Sequence, residues 1–206
     1  TYTIIRIDGK AFHTYTKGMV RPFDTGLMED MDKTTAYLCK NIQGAKFGYV
    51  QSDEISLLLT DFDSLTTDMW FDGNLQKMAS IAASMATARF NQLRMERFAR
   101  NSGIEPKYRD EPYIAESEIK NFKLAMFDAR VFQIPQKVEV ENYFIWRQQD
   151  ATRNSISSVA QSMYSPKELQ LVSSHPDKST PAAKFPFTTK LPTGGEMIAE
   201  SPVRVR

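Results

Sequence analysis

Cysteine is nearly absent from this chain: its 206 residues hold one, Cys39. A single thiol can build neither a disulfide framework nor a thiolate zinc site within the chain. Cys39 falls on the apolar side of an expected helix, which reads as a buried structural thiol and points to a reducing, cytoplasmic setting. Long apolar runs are missing as well. Nothing approaches the ~18 consecutive apolar residues of a membrane-spanning helix, so no membrane partner is expected. Thr1 opens directly on a strand-like stretch, with no charged-then-apolar leader in view. There is also no excess charge of one sign: 26 Lys and Arg face 25 Asp and Glu, for a net charge of +1. A polyanion must therefore be met by local clusters rather than by global attraction. Finally, neither Cys39 nor any serine has a neighbouring base in a readable pattern, so no poised nucleophile is expected.

What is present is ordinary for a soluble globular protein, with 41% hydrophobic and 25% charged residues and length enough for one sizeable core. Thr3 to Ile7 is β-branched and apolar and reads as a strand that ends at Asp8-Gly9. A loop over Thr14 to Asp24 carries Lys17, Gly18, Arg21 and Pro22. Leu27, Met31, Leu38 and Ile42 then recur at helical spacing, with Asp24 or Thr25 as N-cap and Gln43-Gly44 as the stop. Lys46 to Gln51 and Ile55 to Leu59 read as a hairpin joined by the tight Ser52-Asp53-Glu54 connection. Asn74 caps a long helix that runs to about Asn101, and 103–121 reads as a surface insertion. Ala129 to Ile134 is the fourth strand, closed by Pro135, and Glu139 to Tyr164 is a last long helix. Residues 1–170 form the expected catalytic domain, with 171–206 as an irregular extension packed on it.

The order β-α-β-β-α-β plus a long helix implies the α+β class, with helices on one face of a mixed or antiparallel four-stranded sheet. Right-handed crossovers bring the carboxyl end of the first strand beside the hairpin tip, so Asp8 and Asp53 become neighbours. Two close carboxylates repel unless they share a proton or a divalent cation. The Gly9 carbonyl and the adjacent Glu54 complete an all-oxygen set of the kind that suits Mg²⁺. Lys10, His13, Lys17 and Arg21 follow in the same loop, placed to grip a polyphosphate. Each feature also has a plainer reading. Asp-Gly is a common turn pair, Ser-Asp-Glu a common solvated hairpin tip, and a lone histidine a common surface residue. Pattern alone leaves both readings open.

Several motifs together carry a resemblance: Arg6-Ile7-Asp8-Gly9-Lys10-Ala11-Phe12-His13, the Arg21-Pro22-Phe23-Asp24 loop, Gly48-Tyr49-Val50-Gln51-Ser52-Asp53-Glu54, and Tyr143-Phe144-Ile145-Trp146-Arg147-Gln148. In this order they resemble the tRNA-His guanylyltransferase family over roughly Thr3 to Leu169. The resemblance implies a ferredoxin-like polymerase palm that adds nucleotides to the 5′ end of tRNA in the 3′-to-5′ direction. It implies two Mg²⁺ ions on Asp8, the Gly9 carbonyl and Asp53, with Glu54 as a third catalytic carboxylate. The nucleotide would be met by Asp8, Gly9, Lys10, Ala11, Phe12, His13, Ser52 and Asp53. Arg21, Lys77 and Asn154 would make further nucleotide contacts, and Arg147 with Asp150 would frame the site. GTP or another nucleoside triphosphate is the added substrate, and ATP activates a 5′-monophosphate end. A homotetramer in the cytoplasm is the implied assembly.

One departure narrows the resemblance. Where eukaryotic members carry His-Ile-Asn-Asn, this chain has Thr152-Arg153-Asn154-Ser155, which is similar to the bacterial and archaeal branch that repairs truncated tRNA by templated addition. For RNA contact, the densest basic stretch is Arg94, Arg97, Arg100, Lys107 and Arg109, with a second at Lys178, Lys184, Lys190, Arg204 and Arg206. Two other readings stand beside this one. A palm-type nucleotide cyclase would use the same acids, but its Gly-Gly-Asp/Glu-Glu-Phe hairpin is missing. A non-catalytic RNA-binding module would stack bases on Phe47, Tyr49 and Phe132 and leaves Asp8 and Asp53 without a role.

Overall fold

The computed structural model describes residues 1–101, 122–165 and 169. The expected insertion over 103–121 and the extension over 171–206 lie outside the described residues. In order the chain forms β1 (Tyr2–Gly9), α1 (Phe12–Tyr15), α2 (Thr25–Asn41), β2 (Ala45–Gln51) and β3 (Glu54–Thr60). A 3-10 turn (Trp70–Gly73), α3 (Leu75–Asn101), β4 (Phe127–Ile134) and α4 (Lys137–Met163) follow. Two compact units are present, Thr1–Glu141 and a second that begins at Asn142, inside α4. No helix among the described residues is long and apolar enough to cross a membrane.

The strands are ordered β2-β3-β1-β4, and each neighbouring pair is antiparallel. β1 and β2 therefore run the same way with β3 opposed between them, as the crossover rule requires. The expected α+β palm is the fold found, with a sheet that is antiparallel throughout rather than mixed.

Strict alternation along β1 sorts its residues onto two faces. Ile5 and Ile7 are fully buried in a core shared with Ile55, Leu57 and Leu59 of β3 and Phe127 of β4. Met31 and Leu38 from α2 close that core, together with Met78, Ala82, Ala86 and Phe90 from α3. Each fully buried Ile or Leu contributes roughly 1.5–3 kcal/mol. Arg6 and Asp8 point the opposite way, so the face turned from α2 and α3 is the one that carries charge.

Both long helices of the first unit start where their caps dictate. The Asp24 carboxylate accepts a hydrogen bond from the Leu27 N–H at 2.8 Å, and the Asn74 side-chain oxygen accepts one from the Lys77 N–H at 3.0 Å. At Gly48 α2 approaches the sheet closely: a Cβ there would lie 2.5 Å from the Cys39 sulfur and 2.9 Å from Thr35 Cγ2. Cys39 is half-buried, and desolvation raises its thiol pKa, which keeps it a poor nucleophile.

Candidate active site

Cross-strand register assembles the site. Asp8 stands opposite Glu54 of β3 on one side and opposite Asp128 of β4 on the other, and Glu54 in turn pairs with Gln51 of β2. Directly paired residues share a face, so Gln51, Glu54, Asp8 and Asp128 form one row across the sheet end. The next row inward is Tyr49, Ser56, Arg6 and Arg130. An acidic row thus lies against a partly basic one. Arg6 Nη2 meets Glu54 Oε2 at 2.6 Å, and Arg130 Nη2 lies 3.6 Å from Asp128 Oδ1. Glu54 is buried while Asp128 is exposed, so only the first of these pairs is held out of water.

The hairpin tip is fastened to the end of β1. The Gly9 N–H donates to the Asp53 carbonyl at 3.1 Å, and the Lys10 N–H donates to the Met126 carbonyl at 2.8 Å. Ser52, first of the two turn residues, has φ 50, the left-handed conformation used by primed hairpin turns. Its hydroxyl donates to the Asp53 carboxylate at 2.9 Å. Asp53 is pushed above the ordinary carboxylate pKa, chiefly by desolvation and further by the charge of Asp8. The two hydrogen bonds to its carboxylate, from Ser52 and from its own backbone, pull the other way.

That shift has a thermodynamic sign. A carboxyl whose folded pKa is raised stabilises the fold at acid pH and loses that contribution as pH rises through the folded pKa. Asp53→Asn should therefore make the metal-free protein more stable than wild type at pH 7. The gain should be on the order of 0.5–1 kcal/mol, because solvent reaches the half-buried group, and it should shrink toward pH 4. Urea melts at both pH values read this out; equal stability at pH 7 would remove the argued repulsion.

Gly9 is required for a steric reason. A Cβ there would lie 2.2 Å from Phe12 Cδ2. Phe12 and Tyr15 are buried, and their rings pack with Phe90 and Phe127 at centroid distances of 4.9–6.0 Å. The expected loop after β1 is thus interrupted by α1, a helical turn pinned into the core. Phe12, expected to meet nucleotide, spends its ring in that core and can face a ligand only through its backbone. Lys10, Ala11, His13 and Arg21 are exposed, and Ala11 takes φ 52 at the start of the turn.

The remaining expected residues make local contacts of their own. The Lys77 ammonium sits over the Phe71 ring, 4.5 Å from its centroid. In the second unit Arg147 Nη2 donates to Asp150 Oδ2 at 2.9 Å, so the two residues expected to frame the site are paired with each other. Asn154 Nδ2 also donates to Asp150 Oδ2, at 3.3 Å. Asp128 and Arg130 went unassigned in the sequence, although a signal was there: Ala129 and Val131 are the apolar half of an alternating strand, which puts Asp128 and Arg130 on the face of Asp8. Arg94 and Arg97, expected to follow RNA phosphates, are tied to the buried Asp30.

Among the described residues, no three His, Cys, Asp or Glu side chains gather closely enough to enclose a cation. The oxygen set expected at the sheet end is two carboxylates, Asp8 and Asp53, and the Gly9 carbonyl. It fits an ion that keeps most of its waters and takes further oxygens from phosphate, as Mg²⁺ does.

Comparison with known proteins meets this geometry. The family model described as tRNAHis guanylyltransferase matches residues 1–135. A bacterial tRNA(His) guanylyltransferase (Thg1)-like protein, solved in complex with ATP, is 48% identical with a TM-score of 0.71, over 84% of this chain and 66% of that one. Another structure of that description, in complex with GTP, is 51% identical with a TM-score of 0.64, over 80% of this chain and 68% of that one. The tRNA(His) guanylyltransferase of Debaryomyces hansenii is 27% identical over 76% of this chain, which spans about half (52%) of that protein's length. On the family match over most of the described sheet and its two acid-bearing tips, the chain belongs to the tRNAHis guanylyltransferase family.

Proposed function

We propose that the protein is a nucleotidyltransferase that adds nucleotides to the 5′ end of tRNA in the 3′-to-5′ direction, each chosen by pairing with the opposing tRNA strand. The observation that carries this reading is the union of Asp8 and Asp53 at one sheet end, locked by the Gly9 N–H to Asp53 carbonyl bond. The ATP- and GTP-bound relatives support nucleoside triphosphates as the ligands. The 48–51% identity to bacterial Thg1-like proteins favours templated repair over strict addition of one G.

In this reading Asp8, Asp53 and the Gly9 carbonyl hold Mg²⁺. When bound there, the metal supplies charge neutralisation on the phosphoryl oxygens and the leaving group. The chain's own residues position and balance charge. Ser52 orients the Asp53 carboxylate, and Arg6 holds Glu54 in place beside Asp8. Lys10, His13 and Arg21 offer donors to the phosphates from the exposed loop after β1. The chemistry is two displacements at phosphorus. An oxygen of the RNA 5′-monophosphate attacks the α-phosphorus of ATP and pyrophosphate leaves. The 3′-hydroxyl of the incoming nucleotide then attacks the adenylylated 5′-phosphorus and AMP leaves. A 5′-triphosphate end needs only the second displacement, with pyrophosphate leaving. A tetramer in the cytoplasm completes the reading.

The test is to incubate the protein with Mg²⁺, ATP, labelled GTP and a tRNA lacking its first nucleotide, then map the label. Label at the RNA 5′ end is expected. Cyclic or linear small products would replace this reading with a cyclase, and RNA binding without product would replace it with a binding module.

A further inference from the structure

On the first unit, a cleft of about 330 Å³ opens between the loop after α1, the C-terminal half of α3 and the segment leading into β4. Four cations line it: Lys17, Arg94, Arg97 and Lys123. No carboxylate lines it among the described residues. The arginines form its fixed part. Asp30, 1% exposed, accepts from Arg97 Nε at 3.0 Å and Nη2 at 2.7 Å, and from Arg94 Nη1 at 3.2 Å. Glu29 takes a further bond from Arg97 Nη2 at 3.1 Å. Two acids therefore offset four cations, which leaves a local excess of two positive charges in a chain whose overall balance is +1. That excess sits on Lys17 and Lys123, both exposed and, among the described residues, without a carboxylate partner.

We propose that this cleft binds a backbone phosphodiester of the RNA substrate. The inference rests on the reading that RNA is the substrate. Three features select a backbone phosphate over other anions. Lysines contributed by two separate segments follow an extended chain of charge better than a compact ion. With no lining carboxylate, the cleft offers no place for the divalent cation that accompanies a nucleoside triphosphate. Of the aromatic residues in the lining, Tyr15 is buried, and the half-buried Phe98 and Phe122 rings pack edge-to-face on one another at 6.0 Å, so each already has a protein partner in place of a base. Contact through phosphate alone positions the duplex without reading its sequence.

The experiment measures binding of a fluorescent RNA hairpin, of arbitrary stem sequence, between about 50 and 200 mM salt. Lys17→Ala/Lys123→Ala should lower the magnitude of the log K against log salt slope by about 1.4–1.8 and weaken binding about tenfold or more at the lowest salt. A second stem sequence should show the same change, and Lys123→Ala alone should leave ATP affinity unaltered. An unchanged slope and affinity in the double variant, or ATP binding weakened by Lys123→Ala, would overturn the assignment. Wild-type protein that binds ATP but no RNA at any salt would overturn it too, and would locate the failure in the substrate class rather than in the cleft.

Discussion

Alanine at Asp8 or at Asp53 should lower nucleotide addition by about a thousandfold or more while the protein stays folded. Each removes one of the two side-chain carboxylates proposed to hold the cation at the sheet end, and several kcal/mol of charge stabilisation on the reacting phosphate goes with it. The fold should not suffer. Asp8 occupies the middle of an acidic row between Glu54 and Asp128, and Asp53 is a desolvated carboxyl at a hairpin tip, so both substitutions relieve repulsion. Single-turnover assays on 5′-adenylylated RNA would isolate the second displacement, and Mn²⁺ titration would report binding apart from turnover. Activity within roughly tenfold of wild type, in either variant, would dismiss the pair as the metal-holding acids.

The second large effect is on stability. Asp30→Asn should cost about 3–5 kcal/mol in denaturant unfolding at pH 7, because two part-buried guanidiniums then lose their shared countercharge. Asp30 holds the Arg97 pKa above its already high ordinary value, chiefly through their hydrogen bonds. The side chains of Arg94 and Arg97 are 18% and 23% exposed, too enclosed for water to replace a carboxylate in full. Replacing the whole cluster with apolar residues, Asp30→Leu with Arg94→Met and Arg97→Met, should recover most of that loss, since the penalty lies in the unpaired charges and not in the missing pair. A loss under about 1 kcal/mol in Asp30→Asn would show the cluster to be solvated.

Much of this was legible in the chain itself, where local pattern and tertiary environment agree. In β1, Ile5 and Ile7 alternate with Arg6 and Asp8, which announces both a strand and the direction of its faces. Asp24 and Asn74 cap the helices they were expected to cap. The junction of Asp8 with the Ser52-Asp53 tip followed from crossover handedness alone. What escaped depended on partners far along the chain. Helix α1 forms because Phe12 and Tyr15 dock on Phe90 and Phe127, and tertiary docking of this kind overrides local propensity. Nothing local reveals that Asp30, 64 and 67 residues earlier, pairs with Arg94 and Arg97. Asp128 was passed over as the polar half of a strand, although that same alternation aims it at Asp8.

The close approach of Phe12 to Gly9 ties the proposed metal site and the folding of the core together. The glycine whose carbonyl is proposed to hold Mg²⁺ and the aromatic ring that anchors the core leave no room for a Cβ between them, so natural variation cannot adjust one and spare the other. Selection for new nucleotide preferences would therefore be channelled outward, to the solvent-facing arms around Lys10 and Arg21, which can change without disturbing the interior.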